Sequence, residues 1–409
     1  MADPLNADSA FLEGIRVLDF TQYLAGPACT RLMAELGADV LKVEAAPAGD
    51  PTRTRVPQRG GRAGVFIQQN RGKRSIAVDL RQPRGIELIH ELVAKVDVVI
   101  ENSTPGVMSR KGLGYEDLSA INPGLIMASV SGFGQTGPWS DRRCFDFIAQ
   151  AMSGMMHMTG EPDGPPYFVG AGLADTNAGV HAFAAIGYAL FRRDRTGAGT
   201  HIDIAMTDAM FHMHEFAVQA SSITGDRTLP MRQGRHYQPA APAGSFAGPE
   251  GWIVILATQQ QVGALWKAMG RPELADDPRF ATNEARLANR DELTATIEAW
   301  LGSFATDADA LDALVAAGVP AGPVLNPADA VDHPHFQARG TVKEIHDPYA
   351  GSFNVPGFPI QFDGEPVNPD LTAPNLGEHN REILAELLDY PTDRVAGLVG
   401  DGVLVEDSP

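Results

Sequence analysis

A chain of 409 residues is too long for one compact core, and its 44% apolar and 20% charged residues are ordinary for a globular protein. A formal charge of −19 excludes nucleic acid and anionic membrane as main partners, so an anionic ligand needs a local basic patch. Two cysteines, Cys29 and Cys144, exclude a disulfide framework and carry no metal-ligand spacing, so no metal is expected.

Forty-three glycines and thirty prolines, with no segment of low complexity, indicate many tight turns rather than disorder. Residues 1–13 are polar and acidic, unlike a secretory leader, and no run of 18 apolar residues exists. The expectation is a soluble, cytoplasmic protein.

Residues 15–20 read as a buried first strand. Ala25-Gly26-Pro27 follows, with an amphipathic helix through Leu32, Met33 and Leu36 that stops at Gly37. Residues 40–44 are the next strand, closing a βαβ unit of about thirty residues. The glycines between the two strands do not form GxGxxG, which argues against a nicotinamide dinucleotide. Residues 46–69 read as a long loop rich in Gly, Pro and Arg. Strands are expected at 75–80, 97–102 and 125–130, and helices at 82–94 and 118–121. This alternation predicts an α/β fold with an open, doubly wound parallel sheet. Such sheets bind ligands at the carboxyl ends of their strands, here residues 21–26, 45–50, 102–106 and 131–137.

Gly172 to Gly179 read as a loop turning into a long helix. Apolar Val180, Phe183, Ile186, Leu190 and Phe191 recur at helical spacing. Arg192, Arg193 and Arg195 complement its carboxyl end and Gly197 ends it. Asp175, at the start, is on its own terms a helix cap. A strand at 201–205 and a helix at 209–217 follow. Residues 224–247 lose periodicity and read as a linker. Residues 252–257 are a strand leading into an acidic, helical segment up to about 317, and 320–325 and 327–331 lead out of it. A last helix at 379–388 packs back on the first domain. Met152, Met155, Met156, Met158, Met206, Met210 and Met213 cluster near Asp175 in sequence, as core packing or as adaptable lining for an apolar acyl group.

Several segments together resemble one family. They are Val17-Leu18-Asp19-Phe20 with Ala25-Gly26-Pro27, residues 36–44, Asn70-Arg71-Gly72-Lys73-Arg74, residues 97–102 with Pro105-Gly106, and residues 129–134. Gly172 to Asp175 with Arg195-Thr196-Gly197, residues 318–324 and Leu376-Gly377-Glu378-His379 complete the series. In this order, over about 370 residues, they are similar to the class III CoA transferases, the formyl-CoA transferase and carnitine CoA-transferase family. The resemblance implies an interlocked homodimer whose chains each have a Rossmann-like large domain built from both chain ends. A smaller α+β domain is inserted between them. The corresponding boundaries are 1–222 for the first part of the large domain, 223–248 for a linker and 249–325 for the small domain. Residues 326–409 are the return linker and the rest of the large domain.

The implied reaction moves CoA from an acyl-CoA to a carboxylic acid, with the CoA thioester as substrate and no resident cofactor. It needs a nucleophile that can itself become an activated acyl group, and a carboxylate can. The resemblance assigns this role to Asp175. A helix start favours the ionised form, and the amides of the first turn offer a place for a developing oxyanion. The resemblance maps CoA onto Val78 and Arg81, Asn102, Ser103 and Thr104, Arg110, Arg142, Arg143 and Phe145, and onto Tyr23, Leu24, Ala25 and Ala45. Arg81, Arg110 and Arg143 would form the basic patch, each being otherwise a surface charge; Arg74 is read as structural.

Formyl-CoA transferases carry glutamine and arginine where this chain has Leu24 and Ala45. They carry tyrosine and glutamate where it has Phe145 and Asp146, and their glycine-only loop has no counterpart between Gln233 and Gly251. These departures argue against formate or oxalate as substrates, with Asp146 keeping the acidic role on a shorter arm. His236 and Tyr237 correspond to a loop that approaches the active site in relatives and are candidate substrate contacts. Two alternatives stand beside the transferase. One is an α-methylacyl-CoA racemase, which needs a proton-carrying His where this chain has Phe145. The other is a CoA-binding protein without catalysis.

Overall fold

The computed structural model describes residues 10–229, 231–367 and 369–406; most of the 1–13 segment discussed above lies outside the described residues. Six strands rich in Val, Ile and Leu form a wholly parallel sheet. They are β1 (Arg16–Asp19), β2 (Asp39–Ala45), β3 (Lys73–Val78), β4 (Val98–Glu101), β5 (Ile126–Ser131) and β6 (Thr200–Ala205), in the order β3-β2-β1-β4-β5-β6. Successive side chains point to opposite faces. Leu18, Leu41 and Val99 enter one buried cluster, and their neighbours Val17, Val40 and Val98 the other. A strand covered on both faces reads as a continuous apolar run, as these do.

One face carries α1 (Ala25–Glu35) and the long α6 (Leu173–Thr196). The other carries α3 (Pro83–Val93), α4 (Tyr115–Ile121) and, near the end of the chain, α12 (Asn380–Leu388). Ile383, Leu384 and Leu387 put α12 into the same core as β1 to β3. Asn380 fixes it there, accepting from the Ala77 amide at 3.0 Å and donating to the Val405 carbonyl at 2.9 Å. Arg74 does hold structure: it pairs with Asp39, Glu382 and Glu386.

The chain divides into two compact units, one drawn from Met1–Met155, Val169–Glu215 and His333–Pro409, the other from Met156–Phe168 and Phe216–Asp332. The second has its own antiparallel sheet of β7 (Ala243–Ala247), β8 (Trp252–Leu256) and β9 (Ala321–Pro323), ordered β9-β8-β7. Helices α9 (Val262–Ala268), α10 (Arg290–Leu301) and α11 (Asp307–Ala316) cover it through Trp266, Ile297 and Leu314.

Three local expectations are corrected. The 46–69 stretch contains helix α2 (Gly64–Asn70), because Phe66 and Ile67 are buried rather than loop residues. The helix expected at 209–217 is two helices, α7 (Met206–Phe211) and α8 (Ala217–Thr224), which belong to different units. Residues 321–323, read as a way out of the small domain, are an edge strand paired with β8.

Candidate active site

The strand order reverses between β1 and β4, which opens a crevice at their carboxyl ends. A buried ionic layer supports this end of the sheet. Asp19 accepts from the Thr30 hydroxyl at 2.7 Å and the Lys73 ammonium at 3.0 Å. Lys42 pairs with Asp50 at 2.9 Å and donates to the Thr21 carbonyl at 2.9 Å. Glu44 takes Arg53 and the Ser75 hydroxyl. Burial pushes the Asp19 carboxyl up, but Lys73, Lys42 and the two threonine hydroxyls outweigh it and hold it at about 2.

Above this layer, Asn102 at the end of β4 clamps the loop after β1. Its amide accepts from the Gln22 N–H at 2.9 Å and donates to the Gln22 carbonyl at 2.7 Å. Next to the clamp, Tyr23 adopts a left-handed conformation with φ of 63°, costly for a side chain of that size. Its ring meets Phe145 edge-on at 6.2 Å.

Helix α6 reaches the crevice because it lies unusually close to α1. A Cβ at Gly179 would sit 2.5 Å from the Ala25 carbonyl and 2.9 Å from the Ala28 Cβ, so only glycine permits this approach. A Cβ at Gly172 would meet only the end of the Leu24 side chain, a weaker constraint. Gly172 is the N-cap, and Asp175 lies inside the first turn with its side chain making no cap bond. The reading of Asp175 as a cap is therefore overturned.

The cap is supplied from elsewhere. Asp146, the first residue of α5 (Asp146–Met152), accepts from the Ala174 N–H at 2.7 Å and the Asp175 N–H at 3.1 Å. Gln150 holds its other oxygen at 2.6 Å. The two amides expected to face an oxyanion are thus already occupied. The direction of the expected shift is reversed as well: burial first, and then the Asp146 charge, raise the Asp175 carboxyl to about 7. Cys144 is no rival nucleophile, since burial, Asp175 and Asp146 push its thiol to about 11.

Asp175 opens onto a cleft of about 410 Å³ lined also by Tyr23, Ala25, Asn102, Ser103, Thr104, Arg142, Arg143, Phe145 and Met206. Nine of the positions expected from sequence thus come together there. Arg142 stacks on Trp139 at 3.8 Å. A smaller recess of about 260 Å³ shares Tyr23, Phe145 and Asp175 but turns the other way, toward Leu24, Val65, Phe147 and Arg55. Arg55 carries no expectation from the sequence.

The remaining positions lie outside both. Ala45 and Val78 are register partners at the ends of β2 and β3, and Val78 is fully buried. Arg81 is paired with Asp79, and Arg110 stands over Gly106 in the turn after β4. His236 and Tyr237 belong to the second unit. His236 there lines a polar pocket with Arg235, Arg290 and Glu298, its pKa lowered by burial and then by the two arginines.

Against this geometry stand the comparisons with known proteins. A family profile described as CoA-transferase family III matches residues 12–380. The chain belongs to this family. The family III chain is 40% identical over 399 residues to a succinyl-CoA–D-citramalate CoA-transferase of Chloroflexus aurantiacus, covering 96% of this chain and 98% of that one. It is also 40% identical over 377 residues to an acetyl-CoA:oxalate CoA-transferase of Acetobacter aceti, covering 91% and 95%. Among solved structures, a CAIB/BAIF family protein from Brucella suis superposes with a TM-score of 0.82 at 40% identity, covering 93% of this chain and all of that one. The protein is accordingly an enzyme of the acyl-CoA:carboxylate CoA-transferase class, with a CoA thioester as substrate. Among the described residues no helix is long and apolar enough to cross a membrane, and no group of His, Cys, Asp and Glu is placed to hold a metal.

Proposed function

We propose that this CoA-transferase works through covalent intermediates on Asp175. An Asp175 oxygen attacks the thioester carbonyl of the donor; the C–S bond breaks and CoA leaves as the thiolate, giving a mixed anhydride. The thiolate then attacks the Asp175 carbonyl carbon, expelling the donor acid and leaving an aspartyl-CoA thioester. The acceptor carboxylate attacks that thioester and releases the thiolate again. Attack of the thiolate on the acceptor's acyl carbon frees acyl-CoA and restores Asp175. Atoms and charge balance without a metal or redox partner.

The observation that carries this reading is a partly exposed carboxylate, raised to about 7, at the junction of two recesses. One recess suits the CoA arm and the other the acyl group. A carboxylate of raised pKa is a better nucleophile once ionised, and near neutral pH a large fraction is ionised. In this reading the wider cleft holds CoA, with Arg142 and Arg143 toward its anionic part. Asp146 positions Asp175 and does not itself react. The racemase alternative finds no support, since neither recess is lined by a histidine and Phe145 carries no exchangeable proton.

A homodimer goes with this reading. An apolar groove along α6 is lined by Leu12, Met33, Leu36, Phe183 and Tyr188, with Tyr188 76% exposed. A cytoplasmic location goes with it too, the two cysteines being free thiols.

Treatment with acyl-CoA and hydroxylamine should leave a hydroxamate on Asp175, located by peptide mass spectrometry. Asp175→Asn should lower transfer by about 10⁴-fold or more. Unmodified Asp175, or a variant with wild-type transfer, sinks the mechanism.

A further inference from the structure

We propose that Arg55 selects short dicarboxylic acids, binding the carboxylate remote from the one that reacts; this rests on the transferase reading above. The recess that contains Asp175 and Arg55 is lined also by apolar Leu24, Val65, Phe145 and Phe147, with Thr52 and the Asp146 carboxylate. Tyr23 lines it too, with the Arg55 guanidinium 5.9 Å from the centre of its ring and Phe145 edge-on to it at 6.2 Å. A carboxylate nucleophile, an apolar middle and a cation are the complement of an acyl chain with a charged far end.

The neighbouring arginines make the point sharper. Arg53, Arg55, Arg59 and Arg62 fall within ten residues of one another. Arg53 is paired with Glu44, Arg62 with Asp347, and Arg59 donates to the carbonyls of Ala350 and Ser352. Arg55 alone of the four has no hydrogen bond or ion pair from its guanidinium among the described residues, and it is exposed. Three of the cations hold the loop to the rest of the unit and the fourth is left over at the mouth of the recess. In a protein of net charge −19, a cation without an acidic partner beside a reactive carboxylate is a place for an anionic group to bind. The guanidinium fork matches a carboxylate with two parallel hydrogen bonds.

The test compares acceptors of equal length, succinate with butyrate and glutarate with valerate, on the full-length enzyme with acetyl-CoA as donor, and glutarate with valerate also with succinyl-CoA. The wild type should prefer the diacids in kcat/KM, mainly through KM. Arg55→Leu should reduce that preference by about 10- to 100-fold, the worth of a charge-assisted pair. Arg55→Lys, which keeps the charge and loses the fork, should fall between them and guards against a folding defect. A wild type without the preference, or an Arg55→Leu enzyme that keeps it, overturns the assignment while leaving the transferase reading intact. A wild type that transfers CoA to neither series also overturns the Arg55 assignment; the transferase mechanism fails separately, if acyl-CoA and hydroxylamine leave Asp175 unmodified.

Discussion

Two carboxylates at the same end of one sheet are treated in opposite ways. Asp19, fully buried, is held at about 2 by Lys73, Lys42 and two hydroxyls. Asp175, less buried, is raised to about 7 by burial first and then by a second carboxylate, Asp146. Burial raises both, so burial alone cannot be the difference. Partner chemistry decides it: Lys42 and Lys73 lie under the strand ends, where they fix the backbone, and Asp175 is ion-paired to no cation among the described residues. A carboxylate locked in ion pairs is a poor nucleophile; one left with a like charge is held near the pH at which it works.

The largest break in this contrast comes from the support side. Lys73→Met leaves Asp19 buried with one cation fewer and takes a partner from Asn70. Removing one member of a buried pair costs about 3–5 kcal/mol. Urea unfolding should show that loss, and Asp19→Asn combined with Lys73→Met should recover part of it. If Lys73→Met alone leaves the midpoint unchanged, the ionic layer is not what holds the strand ends.

A smaller effect sharpens the other side. Asp175 has an unfolded value of 3.8 and a folded value of about 7. Between these limits the native state binds more protons than the unfolded state, so stability falls as pH rises from about 4 to 7. Asp175→Asn removes that loss. The variant should match the wild type below about pH 4 and exceed it above pH 7. Three pKa units set a ceiling of about 4 kcal/mol, and partial exposure brings the expected gain to about 1–2 kcal/mol. Thermal unfolding at pH 4 and pH 8 reads it, and a variant no more stable than wild type at pH 8 would show that the Asp175 charge is not strained.

Much of the sheet was legible from the alternation of apolar runs with amphipathic helices, and the crevice at its strand ends followed from general rules of such sheets. The helix carrying Asp175 was visible in its 3.6-residue periodicity. What escaped was everything that depends on residues far apart in the chain. Asn102 clamps Gln22 across 80 residues, so a position assigned to CoA also holds the loop that shapes the cleft. Asp19, Lys42, Asn70 and Lys73 were visible only as family motifs, and the reason for their presence is a shared buried network. Arg55 had no local signal at all. It differs from Arg53, Arg59 and Arg62 in having no hydrogen bond or ion pair from its guanidinium among the described residues, which no sequence pattern records. Phe66 and Ile67 hid a helix in a stretch whose Gly and Pro content read as loop.

Asp146 tests the contrast most finely, because it belongs to both sides: it supports α6 and it raises Asp175. Its two roles separate by substitution. Asp146→Asn keeps an oxygen for the Ala174 and Asp175 amides and removes the charge. The pH dependence of kcat/KM, whose acid limb should lie at about 7 in the wild type, should then move to lower pH, with the loss of stability limited to the Gln150 contact, where the new amide NH2 replaces an acceptor. Asp146→Ala removes the cap as well, leaving two first-turn donors without their acceptor, and should cost about 1 kcal/mol more. A limb that stays at about 7 in Asp146→Asn would assign the elevated pKa of Asp175 to burial alone. Equal losses of stability in both variants would mean that the negative charge, through its attraction to the amino end of α6, supplies the support that the hydrogen bonds were credited with.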